Sequence, residues 1–239
     1  MYRINCDALR LGLMPDTVNE QSAGQTTRRY DASRRRAAAA QTRTNILDTA
    51  RGLFLSQGYA ATTVAEIARG AGVVPDTVYT VVGRKPAMFR ELIELALSGT
   101  DQPIPGAHRD YVARMRAEDD ARRKLAIYAD AVTAIQGRLA PLFLVLRDAA
   151  ALDGDLRSLW DEITARRAEN MRRLAADLVS TGATRTDLTV EEIADIVWTM
   201  NSSEYYSMLV TSRGWTSDRF SNWLHDAWCR LLLDPTHAA

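Results

Sequence analysis

The stretch from Arg43 to Leu97 constrains the fold more than any other part of the chain. Ile46, Leu47, Ala50, Leu53 and Phe54 recur at helical spacing, and the pattern stops at Gly58, a residue suited to the left-handed position after a helix. Thr63-Val64-Ala65-Glu66 then fits a capping box, in which the Thr hydroxyl and the Glu carboxylate each satisfy a free backbone amide. Gly70 and Gly72 end that second helix after a short run. Val73, Val74, Val78 and Val82 return at helical spacing, with Pro75 in the first turn, where its missing amide is harmless. Val74, Val78 and Val82 are expected to point inward, leaving Pro75, Asp76, Thr77, Tyr79 and Thr80 on the outer and lateral faces. A fourth helix follows, with Pro86 near its start and Phe89, Leu92, Ile93, Ala96 and Leu97 as its buried stripe. Three small helices packed into so short a stretch predict a helix-turn-helix.

Beyond it, TDQPIPG between Thr100 and Gly106 breaks the pattern with two prolines and marks a domain boundary. Everything after is helical by spacing, with candidate helices over 118–137, 139–151, 155–181, 189–212 and 216–233. Alternating strand patterns never persist, so the fold class is all-α. Residues 1–40 lack helical periodicity and read as a flexible basic extension; 41–100 form the helix-turn-helix domain, and 107–239 a second, all-helical domain. The extension carries Arg28, Arg29, Arg34, Arg35 and Arg36, a solvated charge run that could also serve as an arm gripping DNA.

Charge supports this division. The whole chain has 30 basic and 30 acidic side chains, so net charge alone favours neither nucleic acid nor an anionic membrane. Yet residues 1–100 hold 13 basic against 9 acidic groups, and 101–239 hold 17 against 21. Two cysteines at opposite ends, with no CxxC, exclude a zinc module or a disulfide framework, and no metal or other cofactor is expected. No uninterrupted apolar run reaches membrane-spanning length, and Asp7 and Arg10 interrupt any signal-peptide core. A cytoplasmic protein with no membrane partner is expected. The bias of 28 Arg to 2 Lys points to a GC-rich, bacterial coding source.

Gly58-Tyr59, the helix bearing Thr63, Val64, Ile67 and Ala68, the Ala71-Gly72-Val73 turn, Thr77-Val78-Tyr79 and Lys85 together resemble the DNA-binding domain of the TetR family of transcriptional regulators. The resemblance covers about residues 41–95 and implies that α-helical DNA reading takes place here, with a helix in the major groove and flanking groups on phosphates. It implies phosphate contacts for Thr77, Tyr79 and Lys85, with Lys85 at the start of the fourth helix, whose dipole also favours an anion. Pro75, Asp76 and Thr80 would lie nearest the bases, and Thr63 and Arg84 complete the DNA-facing set. Val74 stands where the family carries a hydroxyl, so the recognition helix lacks that cap.

By the same resemblance the second domain would bind a small-molecule effector and form a homodimer on double-stranded DNA with a pseudo-palindromic operator. The chain would then be a sequence-specific regulator, a repressor released by its effector. Trp198, Asn201 and Tyr205 share a face by spacing, with Tyr128 and Phe143 as partners from earlier helices, and this mixture predicts a mostly apolar, uncharged ligand. Met208, Trp223, Trp228 and Leu231 are the candidate dimer contacts in the last helices. An alternative is a DNA-binding helical protein with no effector, acting as a scaffold or through a partner. A helical enzyme is a remote third class: the three histidines have no metal or nucleophile arrangement around them, and GxGxxG and GxSxG are missing. No catalytic residue is assigned.

Overall fold

The computed structural model describes residues 21–100 and 102–235, with side chains from residue 34 onward. Two compact units divide the chain, Met1–Gln41 and Thr42–Ala239. The described part of the first is helical and is the opening of α1 (Gln21–Ala61). The helix expected from Arg43 therefore begins at Gln21. Its early part, RRRAAAAQTR, is rich in Arg and Ala, which favour a helix intrinsically but leave no apolar stripe for periodicity to reveal. Residues 1–20 lie outside the described residues. Gly58 interrupts α1 with φ 80° and ψ 170°, a backbone region open essentially to glycine alone, so the helix breaks where the apolar pattern stopped.

Three elements of the second unit follow the sequence reading. Thr63 caps α2 (Val64–Gly70), and its hydroxyl and the Glu66 carboxylate form the expected reciprocal box. Pro75 opens α3 (Pro75–Val81), preceded by Val74 without a side-chain cap. α4 (Lys85–Ser98) ends at Gly99, whose φ of 72° makes a left-handed cap. Ile46, Phe54, Ile67, Val78, Met88, Phe89 and Ile93 are all fully buried and join these elements in one core. Phe54, Tyr59 and Phe89 meet edge and face at its centre, with ring centroids 5.0 to 5.6 Å apart.

The second domain departs more from expectation. A single 3-10 turn (Gly106–His108) leads to a helix that periodicity did not reveal, α5 (Asp110–Ala117). The two helices expected at 118–137 and 139–151 are one, α6 (Ala121–Ala150), which runs through Gly137 and Pro141. Proline inside a helix costs about 3 kcal/mol. Leu139, Leu142, Phe143 and Leu146 bury that part of α6 against the core of α1 to α4, and this burial outweighs the cost. The first half of α6 carries Leu125, Tyr128, Ala129 and Val132 into a second core, shared with α7 (Gly154–Ser180), α8 (Val190–Met200) and α10 (Ser217–Leu232). The helix expected at 189–212 is broken at Asn201, resumes as α9 (Ser203–Tyr206) and widens into a π-turn over Ser207–Ser212. Ser202, whose hydroxyl caps α9, restarts the chain there.

Among the described residues no strand forms beyond one isolated bridge, Thr184 with Leu233, so the fold is all-α as expected. The segment Ala121–Ala150 is long and apolar enough to cross a membrane by length and composition, yet half of its apolar window is buried between the two cores. The linker near 101–106 separates two stretches of chain, but the core of the first extends onto α6 and α7 through Leu142, Leu146, Leu156 and Ile163.

Candidate nucleic-acid interface

α2 and α3 pack as a helix-turn-helix, and the geometry of α3 follows from one side chain. Val78 is fully buried and pins the seven-residue helix to the core, which forces the opposite face outward. That face carries Pro75, Asp76, Tyr79 and Thr80, all exposed, while Thr77 is half-buried at its side. Val74, expected inside, is 62% exposed. It occupies the N-cap position, where the chain is still extended and the helical face of Val78 and Val82 has not yet begun. The sequence reading placed this residue in the core, and the structure instead adds it to the exposed apolar surface at the start of α3.

Two expected contacts are partly committed within the protein. The Thr80 hydroxyl donates 2.8 Å to the Asp76 carbonyl and can offer only its lone pairs outward. Lys85 donates to the carbonyls of Tyr59 at 2.9 Å and Thr62 at 3.0 Å, and its ammonium lies 4.0 Å over the Tyr59 ring. Two of its three N–H groups thus hold the chain where α1 gives way to α2. Burial pushes its pKa down from the usual lysine value, against the charge of Asp153. Arg84 is exposed at the N-cap of α4. Thr63 is exposed; its backbone N–H donates 2.9 Å to the Glu66 carboxylate and its hydroxyl adds a second hydrogen bond, and the two lower the Glu66 pKa. Arg34, Arg35 and Arg36 are exposed on α1, whereas of Arg28 and Arg29 only the helical backbone is described.

In the second domain the structure brings together only part of the expected lining. Asn201 and Tyr128 meet, the amide nitrogen donating 2.8 Å to the phenol oxygen and reaching Met171 Sδ at 2.9 Å. Both are buried, and burial pushes the Tyr128 phenol far above its usual pKa. Trp198 stands beside them through Arg167, which donates to the Trp198 carbonyl and to Asn201 Oδ1. Gln136 and Ser203 extend the network: Gln136 Nε2 donates 2.6 Å to the Asn201 carbonyl, and Ser203 Oγ donates 2.8 Å to Gln136 Oε1. Phe143 is not in this group. It stacks on Trp160 at 4.7 Å within the other core, because α6 turns that residue toward the core of α1 to α4. Tyr205 is half-buried, and its hydroxyl accepts from Trp223 Nε1 at 2.7 Å on the outside of α10.

The dimer candidates divide in the same way. Met208, Trp223 and Leu231 are 57, 42 and 42% exposed. Trp228 is fully buried and stacks on Tyr128 at 5.4 Å, which makes it a core residue of its own chain. Its place one turn after Leu224 and before Leu232 puts it on the inward stripe of α10.

A helix-turn-helix joined by α4 to a helical domain defines the class. Residues 46–92 match the model of the bacterial regulatory proteins of the tetR family, which is the resemblance read from the sequence. Among solved structures, the chain is similar to NalD of Pseudomonas aeruginosa, the secondary repressor of the MexAB-OprM multidrug efflux pump, at 21% identity and a TM-score of 0.62, covering 81% of this chain and 97% of that one. It is also similar to a transcriptional regulator from Saccharomonospora viridis in complex with choline, at 19% identity and a TM-score of 0.60, over 80% of this chain and 97% of that one. A third likeness is FadR of Bacillus subtilis in complex with stearoyl-CoA, at 19% identity and a TM-score of 0.59, over 77% and 96% of the two chains. No curated protein matches the chain.

Proposed function

We propose that the protein is a sequence-specific, DNA-binding transcriptional regulator, a repressor released from its operator by a small molecule. The observation that carries this reading is the exposed face of α3, held outward by the buried Val78 in the segment that matches the tetR-family model. Val74, Pro75, Asp76 and Thr80 read base edges; Thr77, Tyr79 and Arg84 touch phosphates, with Lys85 adding its remaining N–H. Arg34, Arg35 and Arg36 add sequence-independent attraction as an arm. A seven-residue recognition helix reads few base pairs, so two copies act together, and the exposed Met208, Trp223 and Leu231 supply the apolar contact of a homodimer. The protein works in the bacterial cytoplasm, on DNA, and performs no catalysis. NalD and FadR, by their descriptions a repressor and a regulator, support the regulatory reading.

A selection from randomised duplexes followed by anisotropy titration tests the proposal. The expected result is an enriched two-fold-symmetric site. Asp76→Ala or Thr80→Ala should alter which site variants are tolerated, and Arg84→Ala should weaken all sequences alike. A protein that enriches no sequence at low salt overturns it.

A further inference from the structure

Two cations in the second domain, the buried Lys124 and the half-buried Arg167, are treated differently. Lys124, 3% exposed, is paired with Asp177 Oδ2 at 2.9 Å and donates to the Met115 carbonyl at 2.7 Å. Arg167 has no carboxylate within ion-pair distance among the described residues. Its guanidinium lies 4.2 Å above the Trp198 ring, with Nε donating 2.9 Å to Asn201 Oδ1 and Nη2 donating to the Trp198 carbonyl. Both acceptors are neutral. Burial pushes its pKa down to about 10, with the nearby Tyr128 and Glu204 opposing. Glu204 itself is engaged 3.7 Å from Arg147 on the outer side.

Donors are in surplus around this cation. Trp198 Nε1, on the ring that Arg167 covers, is buried without a hydrogen-bond partner, and so is Thr164 Oγ1, one turn earlier on the Arg167 face of α7. A partly desolvated charge and an unsatisfied buried N–H each destabilise the folded chain, so a place that keeps both has a use for them. The group that answers a cation and a spare N–H together is an acceptor-only anion, and a carboxylate matches the planar guanidinium with two oxygens.

From this geometry we infer that Arg167 is the anchor for the carboxylate of an otherwise apolar effector. The ligand's oxygens replace Asn201 Oδ1 and the Trp198 carbonyl at the guanidinium, and one accepts from Trp198 Nε1. The groups nearest this polar set that could receive its apolar body are Tyr128 and Met171, both touched by the Asn201 amide. This revises the expectation of an uncharged ligand. It also supplies a route for a response, because Asn201 sits at the break between α8 and α9, just before the π-turn at Ser207–Ser212. Releasing Asn201 from Arg167 loosens that irregular segment, and π geometry of this kind recurs at functional sites. The inference rests on the effector-responsive reading of the second domain.

The test titrates the full chain with hexanoate through tetradecanoate, each beside its primary amide, following melting temperature and tryptophan fluorescence. At least one carboxylate should raise the melting temperature, since a ligand of the folded state alone stabilises it. Its amide should bind roughly ten- to a hundredfold more weakly, the loss of one charge-assisted contact. Arg167→Gln should erase the preference for acid over amide, and Arg167→Lys should keep part of it. Glu204→Gln, which leaves the guanidinium in place, should tighten carboxylate binding and keeps the test valid should Arg167→Gln fail to fold. No binding across the series, equal binding of acid and amide, or a preference that survives Arg167→Gln overturns the inference. DNA binding by the same samples without carboxylate separates the two readings: its loss defeats the regulator, while intact DNA binding with indifferent carboxylates defeats only the anion site.

Discussion

Replacing Lys85 by methionine separates two roles that one ammonium cannot fill equally. The structure gives it two hydrogen bonds, to the Tyr59 and Thr62 carbonyls at 2.9 and 3.0 Å. Hydrogen bonds from a charged donor contribute about 1.5–3 kcal/mol each when buried. Lys85 is half-buried, and the Tyr59 carbonyl also accepts from the Thr62 amide, so water and the backbone recover part of the loss. About 2 kcal/mol in total is the reasonable figure, at the lower end of that range. For a chain of this size each kcal/mol moves the melting temperature by about 2–4 °C, which gives a fall of roughly 4–8 °C for Lys85→Met. Thermal unfolding followed by circular dichroism measures it, and anisotropy titrations at several salt concentrations measure the DNA side. With one N–H left for a phosphate, the salt slope should fall by at most about one unit per subunit. A melting temperature unchanged within error, accompanied by the full loss of slope, would refute the assignment: the ammonium would then face DNA rather than the end of α1.

Trp228→Arg should abolish folding, as judged by circular dichroism, because it buries a charge where Tyr128 stacks. Trp223→Arg and Leu231→Arg should leave the helical signal intact and halve the mass seen in sedimentation; an unchanged dimer would place the contact elsewhere. Gly99→Ala should destabilise by about 1–2 kcal/mol in urea unfolding, since alanine is strained at positive φ and its Cβ would fall 2.6 Å from the Arg138 guanidinium. The capping-box carboxylates Glu66 and Glu192 have lowered pKa values because each accepts hydrogen bonds from its capping threonine. A carboxylate with a depressed folded pKa contributes stability above its unfolded value, here near 4.5, and loses it as pH falls through the folded one. Glu66→Gln, which removes the titrating carboxylate, should therefore flatten the acid limb of a stability–pH curve, and Thr63→Ala, which keeps the leading backbone donor, should flatten it less.

The helix-turn-helix was legible because its signals are local. Thr63 and Glu66 lie three residues apart, Pro75 and Gly58 act on their own backbone, and Val78 needs only its helical neighbours to declare a face. Val74 escaped because periodicity assigns a face only inside a helix, and this residue stands one position before it. The second domain depends on what packs against what. Pro141 reads as a stop until the burial of Leu139, Leu142 and Phe143 around it is known, and Phe143 and Tyr128 share α6 while facing different cores. Trp223 and Trp228 look equivalent in composition, yet five positions along a helix turn one outward and the other inward. Arg167 drew no notice within ARRAENMRR, a run whose other charges are largely solvated; its stacking on Trp198 joins two helices and leaves no mark in either.

On the proposed function, the outward face of α3 reads DNA as one half of a symmetric pair. The most direct measurement is the footprint of the protein on its selected duplex, taken together with the mass of the complex. Two protected half-sites should be centred about 34–36 Å apart, or a multiple of that, with two protein chains bound and with Asp76→Ala changing the preferred bases symmetrically in both. A single asymmetric footprint from one chain, or a base preference indifferent to Asp76, Thr80 and Val74, would contradict the account.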